Sequence, residues 1–288
     1  MLSATGGLVL LRLSSRPWSK TVLVVITLLS DFGLSDPYVA QMKGVIRSTA
    51  SGAEIIDISH GVEKHNIGVG SYLLETTAPF FPDGSIHVAV VDPGVGGSRL
   101  PIAVVCERGV LVGPDNGLLA RTAHKLGFQA AYRIQNSQFS RDRVSSTFHG
   151  RDVFVYTAAK IAQGREPSEV GAKLAAIVKL DIPDASFSKN LITCSVLYVD
   201  SFGNVVTNIS TPNVEQFGFR QGASFKISAG RGEGQQEGLV TKSYFDIPSD
   251  QLGILLGSQG YLELAMREAS AAERLRVKHM DRLEIRFS

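Results

Sequence analysis

The sequence predicts an N-terminal α/β domain with a mostly parallel sheet, followed by a smaller C-terminal all-β module. Three observations carry this reading. The chain has 288 residues, about twice a usual domain. From Val22 to about Gly164, strand-like apolar runs alternate with amphipathic helical segments. Beyond Ile182-Pro183, short strand candidates follow one another, separated by Gly, Asn, Asp and Ser. The divisions read as an extension over 1–20, an α/β domain over 21–184 and a β-module over 185–288, with the passage near Asp181–Ser188.

Within the first domain, TVLVVITLL is a short buried strand ending at Ser30-Asp31-Phe32-Gly33. Asp36-Pro37 reads as a helix start, a capping carboxylate with proline at the first helical position. Val39, Met42, Val45 and Ile46 recur behind it at helical spacing. AEIIDIS is a second strand, Gly68–Phe81 a helical stretch and SIHVAVVD a third strand. PIAVVCE and GVLVGP pair around a tight turn at Arg108-Gly109. Gly117–Leu126 and Arg151–Gln163 are helical. In the second domain NLITCSVLYVD, NVVTNIS, ASFKIS, EGLVTK, LGILLG, GYLELAM and RLEIRF are strands of a small barrel or sandwich, and Gly230–Gly238 is a mobile hairpin tip. In an open α/β sheet, polar residues at the carboxyl ends of strands mark the site, and Asp31 and Asp92 stand at such ends.

Composition excludes several classes. With 44% hydrophobic and 19% charged residues the chain is globular rather than disordered. Its 29 Lys+Arg against 27 Asp+Glu lack the basic excess of a nucleic-acid binder. No apolar run reaches the ~18 to 20 residues of a membrane-spanning helix. Cys106 and Cys194 lie in β-branched runs and read as buried free thiols. The histidines show no HxxxH or HxH spacing, so no metal site is expected. Residues 1–20 contain Arg12, Arg16 and Lys20 but no acid. They read either as an organellar transit peptide or as a disordered or mis-assigned N-terminus, so the protein is placed in the cytoplasm, or in an organelle if the segment is a targeting signal.

Three clusters could carry chemistry. VDPGVGGSR, Val91–Arg99, resembles a phosphate loop, but no lysine with serine or threonine completes a P-loop and the dinucleotide fingerprint lacks its final glycine. Taken alone, it is a plain β-turn with Arg99 a surface cation. STFHGRDVF places His149 in a glycine-containing loop before a helix, a candidate general base or proton relay where the plainer reading is structural. In YVDSFGNVVTN an exposed Phe202 suits stacking on a flat ring, and Asn204 offers the donor and acceptor that match an adenine edge. By itself this segment is an ordinary turn stabilised by Asp200 and Asn204.

SDFGLSDPYVAQMKG, IIDISHGV, HVAVVDPGVGGSR, GPDNGLL, STFHGRDVF, DSFGNVVTN and YLELA with SAAERL occur together, in order, across about Val22 to Phe287. In this the sequence closely resembles the S-adenosyl-L-methionine (SAM) hydroxide adenosyltransferases, the adenosine-forming SAM hydrolases related to the 5′-fluoro- and 5′-chloro-adenosine synthases. The resemblance implies an α/β domain and a β-barrel, a homotrimer, and sites shared between the α/β domain of one subunit and the barrel of its neighbour. It implies SAM as substrate, adenosine as product and no cofactor. It implies that Asp31 holds the ribose hydroxyls through both oxygens, that Asp36 and Asp200 face the methionine ammonium, and that Ser258 lies near its carboxylate. Phe202 would stack on adenine and Asn204 would bond its edge. The segment Tyr261–Glu268 would supply backbone contacts, and Tyr38, Tyr261 and Glu263 count among the substrate-binding residues.

The hydrolytic members carry Asp, Arg and His at the positions of Asp92, Arg99 and His149. Halogenating relatives have tyrosine at Asp92, and the fluorinase has a halide-binding serine at Gly150, a halide-site threonine at Val95 and an inserted loop where VCERGVLVGPDNG runs straight through. Arg267 is a departure, standing where many relatives have asparagine. The implied reaction is attack of water at C5′ of SAM opposite the sulfonium, with Arg99 the counter-charge to Asp92 and with Asp92 and His149 sharing the water proton. A halide adenosyltransferase and a non-catalytic SAM or adenosine sensor are the alternatives.

Overall fold

The computed structural model describes residues 24–229 and 234–287. The extension 1–20, and residues 230–233 of the stretch read as a hairpin tip, lie outside the described residues.

The α/β layer is built on β1 (Val25–Ser30), β2 (Glu54–Ser59), β3 (Ser85–Val90), β4 (Pro101–Cys106), β5 (Gly109–Pro114) and β6 (Phe128–Arg133), in the order β2-β1-β3-β5-β4-β6. β1, β2 and β3 run parallel, because α1 (Tyr38–Thr49) and α2 (Ile67–Thr77) carry the chain back between them, and β5 lies parallel to β3 after the antiparallel passage through β4. β4 runs antiparallel to β5, across the Glu107-Arg108 turn, and to β6. Ile26, Leu28 and Val88 pack with Met42, Ile46, Phe154 and Ala158, so one face of the sheet is sealed by α1 and the later helix. Leu29, Val91 and Val104 pack with Leu74, Leu118 and Ala123 on the other, beneath α2 and α3 (Ala120–Lys125). Coverage on both faces is why β1 and β3 are buried at every residue and read as unbroken apolar runs.

A π-helical turn at Gly150–Phe154 leads into α4 (Val155–Ala162). Eight strands follow: β7 (Ser186–Phe187), β8 (Leu191–Val199), β9 (Val205–Ser210), β10 (Ser224–Ala229), β11 (Gln236–Val240), β12 (Leu252–Leu256), β13 (Tyr261–Met266) and β14 (Arg282–Phe287). β14 pairs with both β10 and β8, closing β8-β9-β13-β12-β11-β10-β14 into a seven-stranded barrel with β7 appended to β8. Closure leaves few free strand edges. Ile192, Phe225, Ile254, Leu264 and Ile285 fill its interior. Both cysteines are buried free thiols as expected, and burial pushes each up to about 12.

Two local expectations are corrected. Asp36 does not cap α1: Pro37 is the residue before the helix and no side chain closes its first turn. The β-module is not free of helix, since α5 (Thr211–Phe217) and α6 (Ala271–Leu275) interrupt it, started by Ser210 with Asn213 and by the Ser270 hydroxyl accepting Glu273 N–H at 3.1 Å. The edge strand β6 has no counterpart among the strands expected from the sequence.

A polar cluster ties the barrel to the α/β layer. The Tyr261 hydroxyl donates to Glu75 Oε1 at 2.9 Å, and Arg121 donates to Glu75 Oε2 at 2.7 Å and to the Tyr261 oxygen at 2.5 Å. Tyr72 on α2 stacks on Tyr198 of β8, with ring centres 5.3 Å apart.

Candidate active site

The first group of residues gathers at the carboxyl ends of β1 and β3. Past β3 the chain makes two successive turns, Val95 N–H to Asp92 O at 3.2 Å and Gly97 N–H to Gly94 O at 3.0 Å. These fold Arg99 back on Asp92. A side chain at Gly94 would press on Arg99 Cγ at 3.2 Å, and Gly96 (φ +76°) lies so close to the Ser146 carbonyl that a Cβ would meet it at 2.5 Å. The glycines therefore serve a close fold-back of the chain. Arg99 Nε donates to Asp92 Oδ1 at 2.9 Å, and its terminal NH2 donates to Asp92 Oδ2. The same NH2 group lies 2.8 Å from His149 Nδ1, and the guanidinium sits over the Phe154 ring at 5.3 Å. Both members of the ion pair are withdrawn from solvent, with side chains 5% (Asp92) and 9% (Arg99) exposed.

His149 immediately precedes the π turn, a rare element often found at functional sites. Burial lowers its pKa below the ordinary histidine value and the Arg99 charge adds to this, while the carboxylates of Asp92 and Asp152 oppose it. Asp152 is fully buried within the same turn. It accepts from Arg151 Nε at 2.7 Å, from Arg141 at 3.3 Å and from Ser145 N–H at 2.9 Å, so it ties the loop before His149 to the helix. Burial pushes its pKa up, but the hydrogen bonds from Arg151 and Ser145 outweigh this and the net shift is downward.

Asp31 follows β1, is buried, and accepts from His65 N–H through Oδ2 at 2.9 Å. Beside it Phe32, Tyr38 and Phe148 form a ring cluster with centres 5.3 to 5.7 Å apart. Gly150 is enclosed by this cluster and by Met42. Asp36 is exposed in the loop before α1.

The second group lies on the barrel. Asp200 organises a turn, its Oδ1 accepting from Phe202 N–H and Asn204 N–H and its Oδ2 from the Asn204 side-chain amide, each at 2.9 Å. Phe202 stands out from this turn, 79% exposed. Ser258 is exposed in the turn Gly257–Gly260. Glu263 is buried and accepts from the Tyr244 hydroxyl at 2.6 Å. Its pKa is raised by burial, with the Asp200 charge adding to the rise and the Tyr244 bond opposing it. The Tyr261 side chain is committed to Glu75 and Arg121, and its carbonyl accepts Gly257 N–H at 2.8 Å. Arg267 lies over the exposed ring of Phe245, 5.0 Å from its centre. Among the described residues, no hydrogen bond, ion pair or ring contact joins this group to the first.

Residues 26–171 match the SAM hydroxide adenosyltransferase N-terminal domain, and residues 194–284 match the C-terminal domain of the same family. The chain belongs to the SAM hydroxide adenosyltransferase family. It is 36% identical over 270 residues to a protein of Methanocaldococcus jannaschii named (R)-S-adenosyl-L-methionine hydrolase, covering 92% of this chain and 96% of that one. A fluorinase of Actinopolyspora mzabensis is 27% identical, over 86% of this chain and 92% of the fluorinase. The crystal structure of an uncharacterized conserved protein from Thermotoga maritima superposes with a TM-score of 0.85 at 33% identity, covering 90% and 99%.

In this member of the family, Asp92, Arg99 and His149 converge, with Asp31, Phe32 and Tyr38 at neighbouring strand and helix ends. Asp200, Phe202 and Asn204 converge separately on the barrel. Sequence reasoning missed Asp152, His65 and Phe245. Only Asp152 left a signal, being the first acid after His149 in a helical start.

Proposed function

We propose that the protein hydrolyses S-adenosyl-L-methionine to adenosine and L-methionine, with Asp92, Arg99 and His149 handling the attacking water. The observation that carries this is Arg99 bonded to Asp92 and His149 at once, at the carboxyl end of β3, in a chain akin to proteins named SAM hydrolases. A guanidinium can only donate, so His149 Nδ1 accepts from Arg99 and the neutral ring keeps its proton on Nε2. Neutral His149 therefore offers a water molecule an N–H donor, while Asp92, with lone pairs left beyond those Arg99 uses, offers an acceptor. A water held between them keeps a lone pair for C5′, in line with the sulfonium and about 3 to 3.5 Å away. As the C5′–O bond forms, the C5′–S bond breaks and its electron pair returns to sulfur as the methionine thioether. The water proton passes to Asp92 and then to solvent. A carboxylate is a weak base, but the oxygen becomes strongly acidic only as it bonds to carbon, so a weak base suffices.

Asp31 binds the ribose hydroxyls in this reading, with Oδ1 and the remaining lone pair of Oδ2. Asp36 and Tyr38 border the same end of the site. Phe202 takes the adenine face, Asn204 its edge, and Asp200, Ser258, Glu263 and the Tyr261 backbone line the remaining contacts. Because the two groups sit apart in one chain, the barrel of a second subunit completes each site, in a homotrimer. The test is incubation of pure protein with SAM in halide-free buffer. Adenosine with methionine supports the reading; a 5′-halo-adenosine formed only with added salt, or binding without product, rejects it.

A further inference from the structure

We propose that His60 is a positioning residue for Asp31, holding the Ser30–Gly33 turn to which that carboxylate belongs. The inference rests on the reading of Asp31 as the ribose-binding group. Ser30, the last residue of β1, is fully buried, and its Oγ lies 2.7 Å from His60 Nδ1. The other edge of the ring faces Asp57, with Nε2 3.2 Å from Oδ1, at ion-pair distance but without hydrogen-bond alignment. Asp57 Oδ2 in turn accepts from Lys43 on α1 at 2.6 Å. A carboxylate facing Nε2 favours the ring proton there, so Nδ1 accepts the Ser30 hydroxyl hydrogen. Ser30 Oγ is then free to accept Phe32 N–H, at 3.3 Å.

The His60 backbone acts on the same turn. Its carbonyl accepts Gly33 N–H at 2.8 Å, where the chain takes a left-handed φ of +69°. Asp31 is thus flanked by Ser30 and Phe32, anchored through the His60 ring, and by Gly33, anchored through the His60 carbonyl. Five residues on, His65 takes a φ of +66° and delivers its N–H to Asp31 Oδ2. A non-glycine residue in that region is uncommon and is kept only where its surroundings fix it. His60 is itself buried, so it acts on substrate through the turn rather than by touching it.

The test compares His60→Phe, which fills the space without an acceptor, with His60→Asn, whose side-chain oxygen restores one near Nδ1. SAM affinity by calorimetry should weaken about 3- to 10-fold in His60→Phe, the worth of one hydrogen bond, and largely recover in His60→Asn. The single-turnover rate at saturation should change by no more than about twofold. In an Asp31→Ala background His60→Phe should add nothing further. Amide exchange at Phe32 and Gly33 of the protein without substrate should speed up in His60→Phe, a readout that needs no SAM chemistry. Equal losses of affinity with and without Asp31, or unchanged exchange, would overturn the proposal. Failure of the wild-type protein to bind SAM would instead reject the functional reading and leave the exchange result to judge the turn. Should His60→Phe not fold, Ser30→Ala removes the other half of the bond and must show the same selective, non-additive loss.

Discussion

Arg99 closes on Asp92 through both carboxylate oxygens, although seven positions of glycine-rich chain separate them. The pair is screened from solvent, and the nitrogen that reaches Oδ2 also reaches His149. A surface cation beside a β-turn would not be held this way. One arginine fixes the carboxylate and selects the histidine tautomer, and the division of labour between them follows.

That division separates chemistry from binding. Asp92→Ala should lower single-turnover rate by about 10² to 10⁴ while SAM affinity by calorimetry stays nearly unchanged. Asp31→Ala should weaken affinity instead, because a ribose contact is made in ground and transition states alike. An Asp92→Ala variant that keeps its rate would make the Asp92–Arg99 pair purely structural.

The pH dependence has a defined sign. Burial and the Arg99 charge lower the His149 pKa, so the ring stays neutral below the ordinary value of 6.5. If neutral His149 is the active form, the rate should be level through neutral pH and fall only once the pH drops through that lowered value. The Asp92 charge opposes the shift, so Asp92→Asn should move the His149 titration, followed by NMR, to still lower pH. A titration at or above 6.5 in the wild-type protein contradicts this.

Gly150→Ser should not convert the protein into a halide transferase. The added Cβ would meet Phe148 at 3.2 Å, Phe32 at 3.4 Å and Met42 Sδ at 3.5 Å, inside the ring cluster beside Asp31. Crowding of this kind costs about 1 to 3 kcal/mol. Thermal unfolding should show the loss, and product analysis in chloride should show no 5′-chloro-adenosine.

Light scattering should give a particle of three 30.9 kDa chains. Mixing a variant damaged at Asp92 with one damaged at Asn204 should recover part of the activity, since some sites then combine two intact halves. A fully active monomer would refute the shared site.

How far these features could be read in the sequence depended on the range of the forces behind them. β1 and β3 were legible because both faces are buried and each run ends abruptly at an aspartate. β6, with Gln129, Ala130 and Ala131 at an edge, carries neither a long apolar run nor a clean alternation. The starts of α5 and α6, at Ser210 and Ser270, look the same as turns when the helix lasts five to seven residues. The union of Arg99 with His149 spans 50 positions, and that of Asp31 with His65 spans 34. No local pattern encodes such contacts, and the triad became readable only through the family motifs.

The most direct test of the central claim is a single turnover with SAM in oxygen-18 water, free of halide. Attack by the water held at Asp92 and His149 predicts adenosine carrying the label at its 5′ oxygen, together with unlabelled methionine. Unlabelled adenosine, or no adenosine until chloride is added, would contradict the account.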